Sequence, residues 1–147
     1  RLIGEVCHFI DTVSWIFGQA PDKVITFGDG RGETLLQENL TLALRYPDGS
    51  SASIAYSSKG SPRSAKERLE VMGHGRTVVI DDFRTMTIDG KHERIRSADK
   101  GHVANLRCFA DALQGNKDPM PQLRASFETT YFALQAADSL RTGFVNA

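Results

Sequence analysis

The strongest constraint on the fold is a run of strict alternation. Across residues 37–46, Leu40, Leu42, Leu44 and Tyr46 alternate with Asn39, Thr41, Ala43 and Arg45, a period of two that places the large apolar side chains on one face of a strand. Pro47-Asp48-Gly49-Ser50 supplies the turn, and Ala52, Ile54 and Tyr56 resume the alternation, so the segment reads as a hairpin with one buried face. That face must be covered by other elements.

Residues 23–28 (KVITFG) carry the β-branched and aromatic content of a first strand, and 69–72, 77–80, 85–88 and 93–96 are further short strand candidates. They are separated by Gly73-His74-Gly75-Arg76, by residues 81–84 and by Asp89-Gly90, which read as turns. Asp29-Gly30-Arg31-Gly32 and residues 57–65 (SSKGSPRSA) read as polar loops. Helical spacing appears at the two ends. Residues 5–18 (EVCHFIDTVSWIFG) place Val6, Ile10, Val13 and Phe17 on one side and end at Gly18, with Pro21 beyond. Asp99 can cap a helix over 101–114, with His102, Leu106, Phe109 and Leu113 on one face; Ser126 can cap another over 127–141, with Phe127, Tyr131, Leu134 and Ala137 as its apolar stripe and Gly143 as its stop. Grouped strands followed by grouped helices predict an α+β fold: a large, mostly antiparallel sheet of about five to seven strands with helices packed on one face.

The 147 residues suit one domain, 1–147, with one sizeable core. Eighteen Lys and Arg balance eighteen Asp and Glu, which leaves no summed field to attract nucleic acid or an anionic membrane. Cys7 and Cys108, each in a helix pattern among apolar neighbours, read as reduced buried thiols. No stretch has the length of a membrane span or the order of a signal peptide, so a soluble, cytoplasmic protein is expected. The chain opens at Arg1 almost directly inside a helix pattern, which reads as a piece of a longer polypeptide.

The chemistry concentrates on the first helix. Glu5, His8, Asp11, Thr12 and Trp15 fall three and four apart and share a side. A histidine with a carboxylate three residues before and three after can have its charge and tautomer set for general acid or base work; the same spacing also describes an ordinary surface histidine. A metal reading of Glu-x-x-His needs a second copy from another helix, and the sequence has none. Trp15 either walls a pocket or joins the core. Lys59 and Arg63 either hold a hydroxyl-rich or anionic ligand or belong to a solvated loop. His74 and His92 read as solvated turn residues, and His102 as a packed one. There is no G-x-G-x-x-G after a strand, no phosphate loop and no paired C-x-x-C. Gly28, Gly30 and Gly32 precede a strand and not a helix, so they make no phosphate cradle.

EVCHFIDTVSWIFG resembles the H-x-x-D-x-x-x-W-x-x-G signature that opens the C-terminal domain of the Gfo/Idh/MocA oxidoreductases, the family of glucose-fructose oxidoreductase and inositol dehydrogenase. KERLEVMGHGRTVVIDD is similar to that family's strand pair, and the tail from CFADALQGNKDPMP through AADSLRTG to its closing helices, so the likeness is collinear over nearly the whole chain. The resemblance implies a two-domain dehydrogenase. A preceding Rossmann domain, absent from this chain, would bind NAD or NADP and supply a lysine. The domain here would bind a sugar, cyclitol or polyol and make a homo-oligomer through an open sheet face; alone it would be inactive. His8 matches the family histidine that relays the substrate hydroxyl proton, and Asp11 an orienting partner. The family often has an aspartate four residues before the histidine; here Gly4 stands there, with Glu5 next to it but turned by about 100° on a helix, which implies a subgroup with a different substrate. The other class of reading is a non-catalytic dimerisation or ligand-binding module on the same sheet.

Overall fold

The computed structural model describes residues 1–29, 37–93, 95 and 101–142. They contain a π-helical turn Leu2–Val6 running into helix α1 (Cys7–Phe17), strands β1 (Lys23–Gly28), β2 (Asn39–Arg45), β3 (Ser51–Ser57), β4 (Arg68–Gly73), β5 (Arg76–Asp81), β6 (Thr85–Ile88) and β7 (Lys91–Glu93), and helices α2 (His102–Leu113) and α3 (Met120–Thr142). The α+β class holds, and the seven strands divide into two antiparallel sheets, β1-β2-β3 and β4-β5-β6-β7. The chain forms two compact units, residues 1–59 with 118–147, and residues 60–117.

In the first unit the alternation behaves as its period dictates. Leu40, Leu42 and Leu44 are buried while Thr41, Ala43 and Arg45 are exposed, and Leu42 pairs Thr26 and Ile54 across the sheet. Their face is covered by the Leu2–Val6 turn, α1 and α3: Leu2, Val6, Ile10, Ala133 and Ala136 are buried in one cluster with Val24, the three leucines, Tyr46 and Ile54. Phe17 meets Tyr46 edge-on with ring centroids 4.5 Å apart, and burial pushes the Tyr46 hydroxyl's pKa upward against the lowering effect of its contact with Ser14. Gly18, left-handed at φ 67°, ends α1 with amides bonded back to Trp15 and Ser14.

Helix α3 departs from expectation at its start and on its buried side. It begins at Met120, not after Ser126, because Asp118 Oδ1 accepts the Met120 N–H at 3.0 Å and Pro121 sits in the first turn, where a missing N–H costs nothing. Ser126 bonds the carbonyl of Gln122 instead of capping. The side facing the sheet is Ala133, Ala136 and Ser139, and Phe127, Tyr131 and Leu134 are exposed. Small residues let the helix lie close enough for Ser139 Oγ to accept the Thr26 N–H of β1 at 3.0 Å, and a bulky stripe would hold it away.

The second unit is a meander. Its sheet aligns Leu69, Ile80 and Met86 in one row and Val71, Val78 and Ile88 in the next, all half-buried. His74-Gly75 (φ 51° and 73°) and Asp89-Gly90 (φ 51° and 77°) are two-residue turns with positive φ at both positions, the twist that matches a tight hairpin. Helix α2 buries none of its residues, so His102, expected to pack, is exposed; Asp99, Gly30, Arg31, Gly32 and Gly143 lie outside the described residues. Residues 94 and 96 of the expected 93–96 strand lie outside the described residues; β7 runs over Lys91–Glu93, which places His92 on a strand and not in a turn.

Asp89 locks its hairpin by accepting the Thr77 N–H at 2.9 Å and the Arg76 Nε–H at 3.1 Å. The Thr77 amide first, and Arg76 next, hold its carboxyl below the ordinary value of 3.8. A lowered folded value means that its contribution is complete above the unfolded value and lost as pH falls through the folded one. Acid titration should therefore shift the Thr77 amide resonance below about pH 4, and Asp89→Asn should remove that transition. An identical titration in the variant would refute the assignment.

Candidate functional site

Helix α1 lies along β2. Its entry is fixed at one end of the strand, where the Tyr56 hydroxyl donates to Glu5 and Tyr56 pairs Leu40; its exit is fixed at the other, by Phe17 and Ser14 on Tyr46. Val6 and Ile10 are fully buried, so the opposite side of the helix, which carries His8, is presented outward on a rigid support. His8 is exposed, and among the described residues its imidazole has no hydrogen-bond partner; its carbonyl accepts from Thr12 Oγ1 at 2.8 Å.

The two carboxylates that flank His8 in sequence are engaged elsewhere. Glu5 accepts from Tyr56 and from Arg1, and Arg1 also reaches Glu38 at 3.8 Å. The bond to Glu5 is the largest influence raising the pKa of the Tyr56 hydroxyl, which keeps it a donor at neutral pH. Asp11 Oδ1 accepts from Thr129 Oγ1 of α3 at 3.0 Å. Both acids therefore tie α1 to its neighbours. Tyr56 was not legible as the partner of Glu5, although a tyrosine at an inward strand position signals a hydroxyl in search of an acceptor.

The remaining candidates are dispersed. Lys59 sits 4.0 Å from Asp29, which also accepts from Asn39 Nδ2 at 3.1 Å. Arg63 belongs to the second unit, with its N–H on Ser61 Oγ at 3.3 Å. Trp15 is not a core residue: it is 81% exposed and borders a cleft of about 490 Å³ between α1 and α3. Cys7 and Cys108 are half-buried and unpaired by disulfide, and the Cys7 thiol donates to the Ile3 carbonyl at 2.9 Å. At Gly4 a Cβ would meet nothing within 4 Å, so the position preceding His8 by one turn is open.

Among the described residues no His, Cys, Asp or Glu cluster is arranged for a metal, and no helix is long and apolar enough to cross a membrane. The turns at His74-Gly75 and Asp89-Gly90 join antiparallel strands, and so do not offer the strand-to-helix cradle a dinucleotide diphosphate needs. A Cβ on Gly28 would come within 1.6 Å of Gln37 Oε1, so that glycine answers to packing.

Residues 2–79 match the GFO/IDH/MocA C-terminal domain, and the chain belongs to that family. Solved structures share the fold. UDP-N-acetylglucosamine 3-dehydrogenase GnnA from Acidithiobacillus ferrooxidans superposes with a TM-score of 0.77 at 17% identity, over 96% of this chain and 47% of its own. The WlbA dehydrogenase from Bordetella pertussis, in complex with NADH and UDP-GlcNAcA, gives 0.70 at 18%, over 95% and 45%. An oxidoreductase from Thermotoga maritima gives 0.69 at 14%, over 90% and 40%. The chain thus spans less than half the length of each. A comparison with curated protein sequences found no match.

Proposed function

We propose that this chain is the substrate-side domain of an NAD(P)-dependent dehydrogenase acting on a sugar, cyclitol or polyol derivative, with His8 as the proton acceptor. The observation that carries the reading is His8 itself: exposed, unpartnered among the described residues, and on the side of α1 opposite the buried Val6 and Ile10. Family membership supports the reaction class. Oxidising a secondary alcohol removes a hydride from carbon and leaves the hydroxyl proton to be taken by a base. A bound nicotinamide would supply the two-electron acceptor, and on this reading a part of the polypeptide outside this chain would hold it. Imidazole, which can both accept and release a proton near neutrality, is the side chain suited to that base role. Glu5 and Asp11 act as struts that hold α1 in place.

The test is NAD(P)H formation by the polypeptide extended upstream of Arg1, across a panel of sugars, cyclitols and polyols. Substrate-dependent reduction is expected. Absence of reduction with either cofactor by a folded, cofactor-binding protein would overturn the reading.

A further inference from the structure

The cleft beside Trp15 has a composition that points to a particular kind of ligand. Its floor and walls come from the last turns of α1 and the first turns of α3, and its volume, about 490 Å³, lies within the range of small-molecule sites. The indole of Trp15 borders it and is 81% exposed. An aromatic surface this open, on a helix whose other apolar residues are buried or half-buried, offers a sugar ring the apolar contact its C–H groups make. Around it stand Asp11, Gln19, Gln122, Ser126 and Glu128, side chains that exchange hydrogen bonds with hydroxyl groups.

The charges narrow the choice. No Lys or Arg is among the residues lining the cleft. Arg124, one position before the lining residue Ala125, has its Nε–H on Glu128 at 3.1 Å, and among the described residues Asp11 forms no ion pair. Its Oδ1 is held by Thr129, which sets the carboxylate in one orientation with Oδ2 available to accept from a ligand hydroxyl. A phosphate placed there would face a carboxylate with no cation to offset the repulsion.

We propose that the cleft between α1 and α3 binds an uncharged, hydroxyl-rich ring of the pyranose class against Trp15. The site lies one to two helical turns beyond His8 on the same side of α1, and the assignment rests on the sugar-directed reading above by naming the part of the substrate that is held away from the reacting carbon.

Trp15 is the sole tryptophan of the chain, so its emission reports on this cleft directly. Titrating the 147-residue chain with N-acetylglucosamine and with D-glucose should give a saturable change in emission with dissociation constants on the order of millimolar, the scale for a ligand of a dozen or so heavy atoms. Glucose 6-phosphate should bind at least about tenfold more weakly. Ala125→Phe, at an exposed position lining the cleft, should abolish the response while the circular dichroism stays unchanged. A linear, unsaturable response to both neutral sugars would overturn the proposal. So would equal binding of the phosphate, or a response that survives in the folded Ala125→Phe chain. Failure here with sugar-dependent NAD(P)H formation intact would remove the cleft alone; saturable binding with no reduction by the extended polypeptide would remove the dehydrogenase reading alone.

Discussion

His8→Ala should lower kcat of the extended polypeptide by about 10² to 10⁴-fold, the usual contribution of a positioned general base, with the thermal midpoint of this chain unchanged. The two halves of that expectation come from the same geometry. His8 is exposed and its imidazole holds no partner among the described residues, so its removal leaves neither a cavity nor an orphaned group. The helix beneath it is anchored by Val6 and Ile10, which are fully buried, and by Glu5 and Asp11 through Tyr56 and Thr129. The measurement is steady-state kinetics of the variant beside its melting curve. A kcat within threefold of the parent would exclude His8 as the base. A large loss of kcat together with a collapse of the melting transition would assign His8 a structural role that its exposure does not foresee.

Ser139→Val should destabilise the first unit by about 2–6 kcal/mol. Two effects add. The Thr26 N–H of edge strand β1 is closed off by α3 and bonded to Ser139 Oγ at 3.0 Å; Thr26 is 5% and Ser139 1% exposed, so water cannot replace the lost acceptor, and a buried unsatisfied N–H costs about 1–3 kcal/mol. The added methyl volume at a helix–sheet contact built from Ala133 and Ala136 costs roughly 1–3 kcal/mol more. Ser139→Thr separates them: it adds comparable volume but keeps the hydroxyl, so it should be milder than valine by about the first term. Denaturant unfolding of the three chains measures the difference, and hydrogen exchange at the Thr26 amide locates it. Equal stabilities for valine and threonine would show that the bond contributes nothing.

Some of this was open to reading before any coordinates, and particular residues show why. The 37–46 alternation placed Leu40, Leu42 and Leu44 inward because a strand's side chains change face at every residue, whatever surrounds it. The turns at 73–76 and 89–90 followed because the backbone there needs positive φ, which Gly75 and Gly90 supply. Helix α3 misled for an equally physical reason. Phe127, Tyr131 and Leu134 have the spacing of a buried stripe, but which stripe a helix buries depends on how close its neighbour comes, and the approach of β1 selected Ala133, Ala136 and Ser139. The candidate site divides in the same way: that His8 and Trp15 share an outward side of α1 could be read from their spacing, and the partners that occupy Glu5 and Asp11 could not, since Tyr56 and Thr129 lie 51 and 118 positions away in the chain.

The sequence by itself therefore determined the periodic elements, their turns, the α+β class and the position of a lone histidine on one side of the first helix, because each of these is set by interactions within a few residues. Only the tertiary structure decided that the flanking acids serve as struts, that Trp15 stands in a cleft and not in the core, that the strands separate into two sheets, and that small residues of α3 face β1. Those outcomes depend on which distant surfaces meet and how closely, and local spacing carries no record of either.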